Sequence, residues 1–190
     1  MTPIPPLTES PWTLDRLGPP ALAFVVAGDP APQGSKSYKG SRPSKTNPRQ
    51  MTPILVESSA ERVRAWRDDV KAAFFEARPR VWQPLADDNR DGVVVDMVFT
   101  RRRPKGLVKS QLCWPGSTPD LGKLARSTED ALTAAGAYGD DARIIGFRRL
   151  DKVYVGSGDP DALPHPGAVI RLWALRGSAY DVPPTRRTRR

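Results

Sequence analysis

Along the chain, apolar residues gather into short runs separated by stretches dense in proline, glycine and charge. The period inside each run names its element. Leu22-Ala-Phe-Val-Val-Ala-Gly28 is an unbroken apolar run closed by turn residues, the pattern of a buried strand. Val93, Val95, Met97 and Phe99 alternate with Val94, Asp96 and Val98, which predicts a strand buried on at least one face. Val63, Trp66, Val70, Phe74 and Ala77 recur at helical spacing and predict a helix with one apolar stripe, read as core. Ser58-x-x-Glu61 has the form of a capping box at its start. Arg78-Pro79 ends it, because a residue before proline disfavours the α region.

A second helix is predicted from Thr118-Pro119, with the threonine as N-cap and the proline at the first helical position. Leu121, Leu124, Ala125, Thr128, Ala131, Leu132 and Ala135 form its inner face, with Asp120, Lys123, Arg126, Ser127 and Asp130 on the other side. Gly136 ends it. Ile144 to Val155 and Ala168 to Leu175 read as strands. Asp29 to Thr52, rich in Pro, Gly, Ser and Lys, reads as a long basic loop. Residues 1–20 hold six prolines and read as an N-terminal arm, and 178–190 as a basic tail. The order implies an α+β domain over 21–177, with a mixed sheet and two main helices.

Composition narrows the chemistry. No apolar run approaches the roughly 18 residues that span a bilayer, so no membrane partner is expected. The first residues lack a basic and then apolar secretory leader, and the single cysteine, Cys113, fits a reducing compartment; a cytoplasmic protein is expected. The single histidine, His165, lies between Pro164 and Pro166 and reads as a loop residue. Catalysis, if present, falls to carboxylates and a hard metal such as magnesium.

Charge points to a polyanionic partner. Thirty Lys+Arg against 21 Asp+Glu leave +9, and the excess is clustered. Lys36, Lys39, Arg42, Lys45 and Arg49 occupy an acid-free stretch. Arg101, Arg102, Arg103, Lys105 and Lys109 form a second cluster, and Arg186, Arg187, Arg189 and Arg190 a third. A nucleoside triphosphate is not expected. Gly28 and Gly34 are separated by five residues, two of them prolines, and are followed by Ser-Lys, whereas a P-loop needs four residues and then Lys-Ser/Thr.

The acids concentrate between Pro119 and Lys152: Asp120 at a helix start, Asp130 within it, Asp140-Asp141 after it. Carboxylates at that density suit a metal-dependent phosphodiesterase, with a nearby cation to offset transition-state charge. They equally suit a helix-dipole partner, a solvated face and a turn. Pro119-Asp-Leu-Gly-Lys-Leu-Ala-Arg126, Asp130-Ala-Leu132, Ala135-Gly136, Asp140-Asp141-Ala and Lys152 together resemble the RusA family of Holliday junction resolvases. Gly28-x-Pro-x-Pro-x-Gly34 resembles that family's first strand and loop, and the likeness covers about residues 22–175. The resemblance implies a RusA-like fold, an intertwined homodimer and a magnesium-dependent endonuclease that nicks four-way DNA junctions in recombination and repair. It implies Asp120 and Asp141 as catalytic acids, Asp120, Asp140 and Asp141 as metal ligands, and Arg126 as the essential cation. Lys36, Lys39, Arg42, Lys45, Arg101, Arg102, Arg103, Lys105, Lys123 and Lys152 would then contact DNA.

One position departs from the family: Gly122 stands where its second acid belongs. Either cleavage is impaired, or Asp140 or Asp130 supplies the missing oxygen. Two rival readings stand beside the nuclease: a junction-binding protein without cleavage, and a basic RNA-binding protein. Geometry adds a constraint. Asp120 to Ala135 as helix measures about 22 Å, and the six residues on to Asp141 reach about 20 Å fully extended. The acids are therefore expected to meet across a dimer interface more readily than within one chain.

Overall fold

The computed structural model describes residues 12–34, 36–47, 49–57, 60–106 and 113–177, with the backbone alone at 36, 37 and 55–57. Its centre is β4 (Gly92–Arg101), in a four-stranded sheet with β1 (Leu22–Ala27), β5 (Ile144–Tyr154) and β6 (Gly167–Leu175), ordered β1-β6-β4-β5. β6 runs antiparallel to β1 and β4, while β5 is parallel to β4. A parallel pair needs a crossover, and α3 (Leu121–Ala134) supplies it. The molecule is thus α+β with a mixed sheet, as the strand and helix order implies.

The two predicted helical stripes meet on one face of that sheet. α2 (Ala60–Ala77) buries Val63, Trp66, Val70 and Phe74, while Ala77 is exposed on its last turn. α3 buries Leu124, Ala125, Ser127, Thr128, Ala131 and Leu132. Ser127, expected on the outer side, is therefore an inward residue: its small side chain fits where α3 turns toward the core. The Trp66 indole N–H donates to Thr128 Oγ1 at 3.0 Å, and Thr128 Oγ1 donates to the Leu124 carbonyl at 3.0 Å. That chain satisfies the Trp66 indole and the Thr128 hydroxyl, while the Ser127 hydroxyl of α3 stays buried without a partner. Under the helices lie Val93, Val95, Met97 and Phe99 of β4 with Phe24, Ile170 and Leu172.

Three other expectations change. Helix α3 does not begin at Pro119: Asp120 is its extended N-cap residue (φ −64°, ψ 138°), Leu121 its first helical residue, and the Thr118–Pro119 peptide is cis. The stretch Asp29–Thr52 is not one loop. It contains β2 (Lys36–Pro43), which pairs antiparallel with β3 (Met51–Glu57) as a separate two-stranded ribbon. Both strands are edges, where Pro43 and Pro53 deprive no neighbour of a donor, and a bulge between Tyr38 and Ser41 takes in Gly40 at φ +120°. Charge and proline hid the strand signal. The arm predicted over 1–20 is, from Trp12 onward, seated on the sheet: α1 (Leu14–Leu17) follows, and Gly146 lies so close to the Trp12 indole that a Cβ would collide with it. Ser58 of the predicted capping box, Lys109 and the arginine tail lie outside the described residues.

The second face of β4 is also buried, and it carries a charge. Val94, Asp96, Val98 and Thr100 are fully buried there. Asp96 accepts two 2.9 Å bonds from Arg148 Nε and one of 3.0 Å from the Arg149 backbone N–H, and Arg171 lies at 3.5 Å. Arg148 in turn stacks over the Trp173 ring. Arg171 and Arg149 also bind Asp161, and Arg149 binds Asp159, which ties the loop after β5 to the sheet. Thr100 Oγ1 accepts the Leu163 N–H at 3.0 Å and closes that loop over the face.

Breaking a buried ion pair leaves the partner charge uncompensated. Asp96→Asn is expected to cost about 3–5 kcal/mol in a urea titration; a loss under about 1 kcal/mol would contradict the role given to it. The hydrogen bond from Arg171 holds the Asp161 carboxyl below its ordinary value of 3.8, against the opposing effect of burial. Its stabilising contribution is therefore complete above that value and fades as pH falls below it. Asp161→Asn should lower stability at neutral pH and flatten the acid limb of the stability curve.

Candidate functional site

β1, β4 and β5 run in the same direction, so their carboxyl ends deliver Gly28, Arg101 and Tyr154 to one edge of the sheet. The start of α3 lies at this edge too, because the crossover must begin where β4 ends. Lys152, near the end of β5, donates its ammonium to the carbonyls of Ser117 (3.0 Å) and Pro119 (2.9 Å). Burial, and then the nearby Arg101, lower its pKa, while Asp120 opposes them. Lys152 thus clamps the turn that presents Asp120, a positioning role that its sequence position did not suggest.

Asp120 is an exposed acid of this edge, as is Asp29, which pairs with Arg62. The Asp120 carboxylate is paired with Lys123 at 3.0 Å. Arg101, half-buried near Lys152 and acted on by Asp29 and Arg62, has a buried Nε without a hydrogen-bond partner, and desolvation pulls its pKa down. A cleft of about 90 Å³ opens between Arg101, Arg102, Ser117, Lys152 and Tyr154. The structure therefore brings together Asp120, Arg101, Arg102, Lys123 and Lys152 from the residues singled out in the sequence. The guanidinium and ammonium groups that line this cleft have the chemistry to bind a phosphate oxygen.

The other acids are elsewhere. Asp140 and Asp141 lie just before β5, at the opposite edge, with α3 between them and Asp120; its 14 residues span about 21 Å. The Asp140 side chain accepts the Ala142 N–H at 2.8 Å and caps the short 3-10 turn Asp141–Arg143. Asp141 acts on Glu129, whose pKa is raised by burial first and then by Asp141 and Asp130. Asp130, a candidate to replace the missing acid, is held by Arg67 and by Gln33 Nε2 at 2.6 Å. That pairing locks the loop after β1 onto α2 and α3. Arg126 is exposed further along α3, where it eases the charge on Glu129. Among the described residues no three carboxylate, histidine or cysteine side chains are grouped to hold a metal ion.

The ribbon places Lys39, Arg42 and Lys45 in exposed positions, with Lys36 on its backbone. Arg103 and Lys105 follow β4. His165 is exposed in a loop, as expected. Sequence reasoning overlooked Asp96 as a charge to be explained, although one acid within an otherwise apolar strand was a readable signal. It also missed Gln33, whose link between Arg67 and Asp130 depends on a loop conformation. There Gly28 (φ +150°) stands where a Cβ would strike the Asp69 carboxylate.

No protein-family model matches this chain, and no curated protein matches it significantly. Among the described residues no helix is long and apolar enough to cross a membrane.

Gly122 sits on the exposed first turn of α3, and a Cβ there would meet open space. Gly122→Ala should therefore raise stability by about 0.5–1 kcal/mol, read from the denaturation midpoint. Lys152→Met should lower it by about 1.5–3 kcal/mol, the range for hydrogen bonds from a charged donor. Unchanged stability in Lys152→Met would remove the clamp.

Proposed function

We propose that this chain acts on four-way DNA junctions as a homodimer of the RusA type, with two chains contributing the acids of each magnesium-dependent nicking site. The observation that carries the reading is Asp120, exposed beside Lys123 and Lys152 at the carboxyl edge, within the segment Pro119–Arg126 that resembles the resolvases. The exposed cations of the ribbon supply sequence-independent grip on the duplex arms. Arginine outnumbers lysine, which favours bidentate phosphate contact. The separation of Asp120 from Asp141 supports division of the acids between two chains.

A second reading has its own observation. Gly122 brings no ligand, and one chain's acids do not gather; a junction-binding protein without cleavage would look the same. Nicking separates the two. The protein should bind a four-way junction about tenfold more tightly than its component duplex, a difference of about 1.4 kcal/mol. Gly122→Asp should increase magnesium-dependent nicking over the natural chain. Equal nicking by both would remove the impairment assigned to Gly122, no nicking by either would sink the enzymatic reading, and equal binding of junction and duplex would sink the branched-DNA reading. In the active Gly122→Asp background, mixed dimers of Asp120→Asn with Asp141→Asn chains should retain single-strand nicking. If the acids work across chains, one site then loses both acids and the other keeps both; silence would place each site within one chain.

A further inference from the structure

A larger cleft, of about 960 Å³, adjoins the small one and shares Arg102 and Pro104 with it. It lies between the segment after β4 and the loop that precedes β6. Its floor is apolar: Pro104, Val155, Pro164 and Pro166. Arg102, Arg103, Lys105 and His165 line it as well, and no carboxylate is among the described residues that do so. Apolar surface beside a group of cations is an unusual pairing for solvated charge alone. The cations suit phosphate, but a phosphate backbone has no use for three prolines and a valine.

A base-paired duplex offers its phosphates outward and hides its base faces in the stack. An unpaired nucleotide offers both at once: a flat base for the floor and a phosphate for the cations. We infer that this cleft binds an unpaired nucleotide of a DNA strand, seated beside the small cleft that Asp120 adjoins. The inference deepens the branched-DNA reading and rests on it for the identity of the polymer, since strands exchange at a junction where bases can leave their stack. The walls are fixed from both sides. Arg149 and Arg171 anchor Asp159 and Asp161 at the start of the loop, and the Val155 N–H donates to the Arg101 carbonyl at 3.0 Å.

The test compares two labelled hexamers by fluorescence anisotropy with the full chain at fixed ionic strength: (dT)6 and an abasic hexamer with the same phosphates. The expected result is about tenfold tighter binding of (dT)6, the effect of withdrawing one base face from water. Val155→Asn should bring the two affinities close to parity, and Pro164→Gly, in an exposed loop, gives the same reading should Val155→Asn fail to fold by circular dichroism. Arg102→Ala with Lys105→Ala should weaken both hexamers together. Parity in the natural chain, or a preference unmoved by the floor variants, would overturn the assignment. The junction-versus-duplex comparison is made on the same protein. Base preference without junction preference would sink the resolvase reading and leave the cleft; junction preference with parity would do the reverse.

Discussion

The parallel pairing of β4 with β5 decides where every charged group of interest can lie. Parallel neighbours cannot be joined by a tight turn, so the chain must travel back along the sheet, and α3 is that return. Its beginning is fixed at the carboxyl edge and its end at the amino edge. Asp120 therefore falls beside Lys123 and Lys152, while Asp140 and Asp141 fall next to the start of β5. No side-chain rotation closes a gap about the length of a 14-residue helix. Topology, more than composition, separates the acids that the motif places close together in sequence.

The same central strand imposes a second condition. Because both faces of β4 are buried, the Asp96 side chain at its middle needs partners from neighbouring strands, and Arg148 and Arg171 provide them. These arginines recruit Asp161, and Arg149 adds Asp159, so the network that neutralises Asp96 also fixes the loop bordering the larger cleft. Stability and site shape are thus coupled through one set of ion pairs. A change at Asp96 would be felt in a cleft that it does not touch.

Much of the fold was legible because period and burial agree. The stripe Val63–Trp66–Val70–Phe74 and the alternation Val93–Phe99 report elements with one dominant environment. The ribbon was not legible: β2 is basic and carries Gly40 and Pro43, β3 is interrupted by Pro53, and neither joins the main sheet. Asp120 and its neighbouring cations could be nominated from the segment Pro119–Arg126. The clamp by Lys152 could not, since it depends on two backbone carbonyls turned toward β5. Nor could the engagement of Asp130 by Arg67 and Gln33, which turns a candidate ligand into a structural acid. Local sequence names chemical groups; which of them meet is decided by pairings more than thirty residues apart.

The central proposal is that the acids near the two ends of α3 come together between two chains. Cysteine cross-linking tests it directly, in a background where the native thiol is removed by Cys113→Ser. Asp120→Cys chains are mixed with Asp141→Cys chains on four-way junction DNA and oxidised. The account predicts a covalent dimer from the mixture and no internal closure in a single chain carrying both substitutions. Internal closure in that chain, or no cross-linked dimer from the mixture, would contradict it.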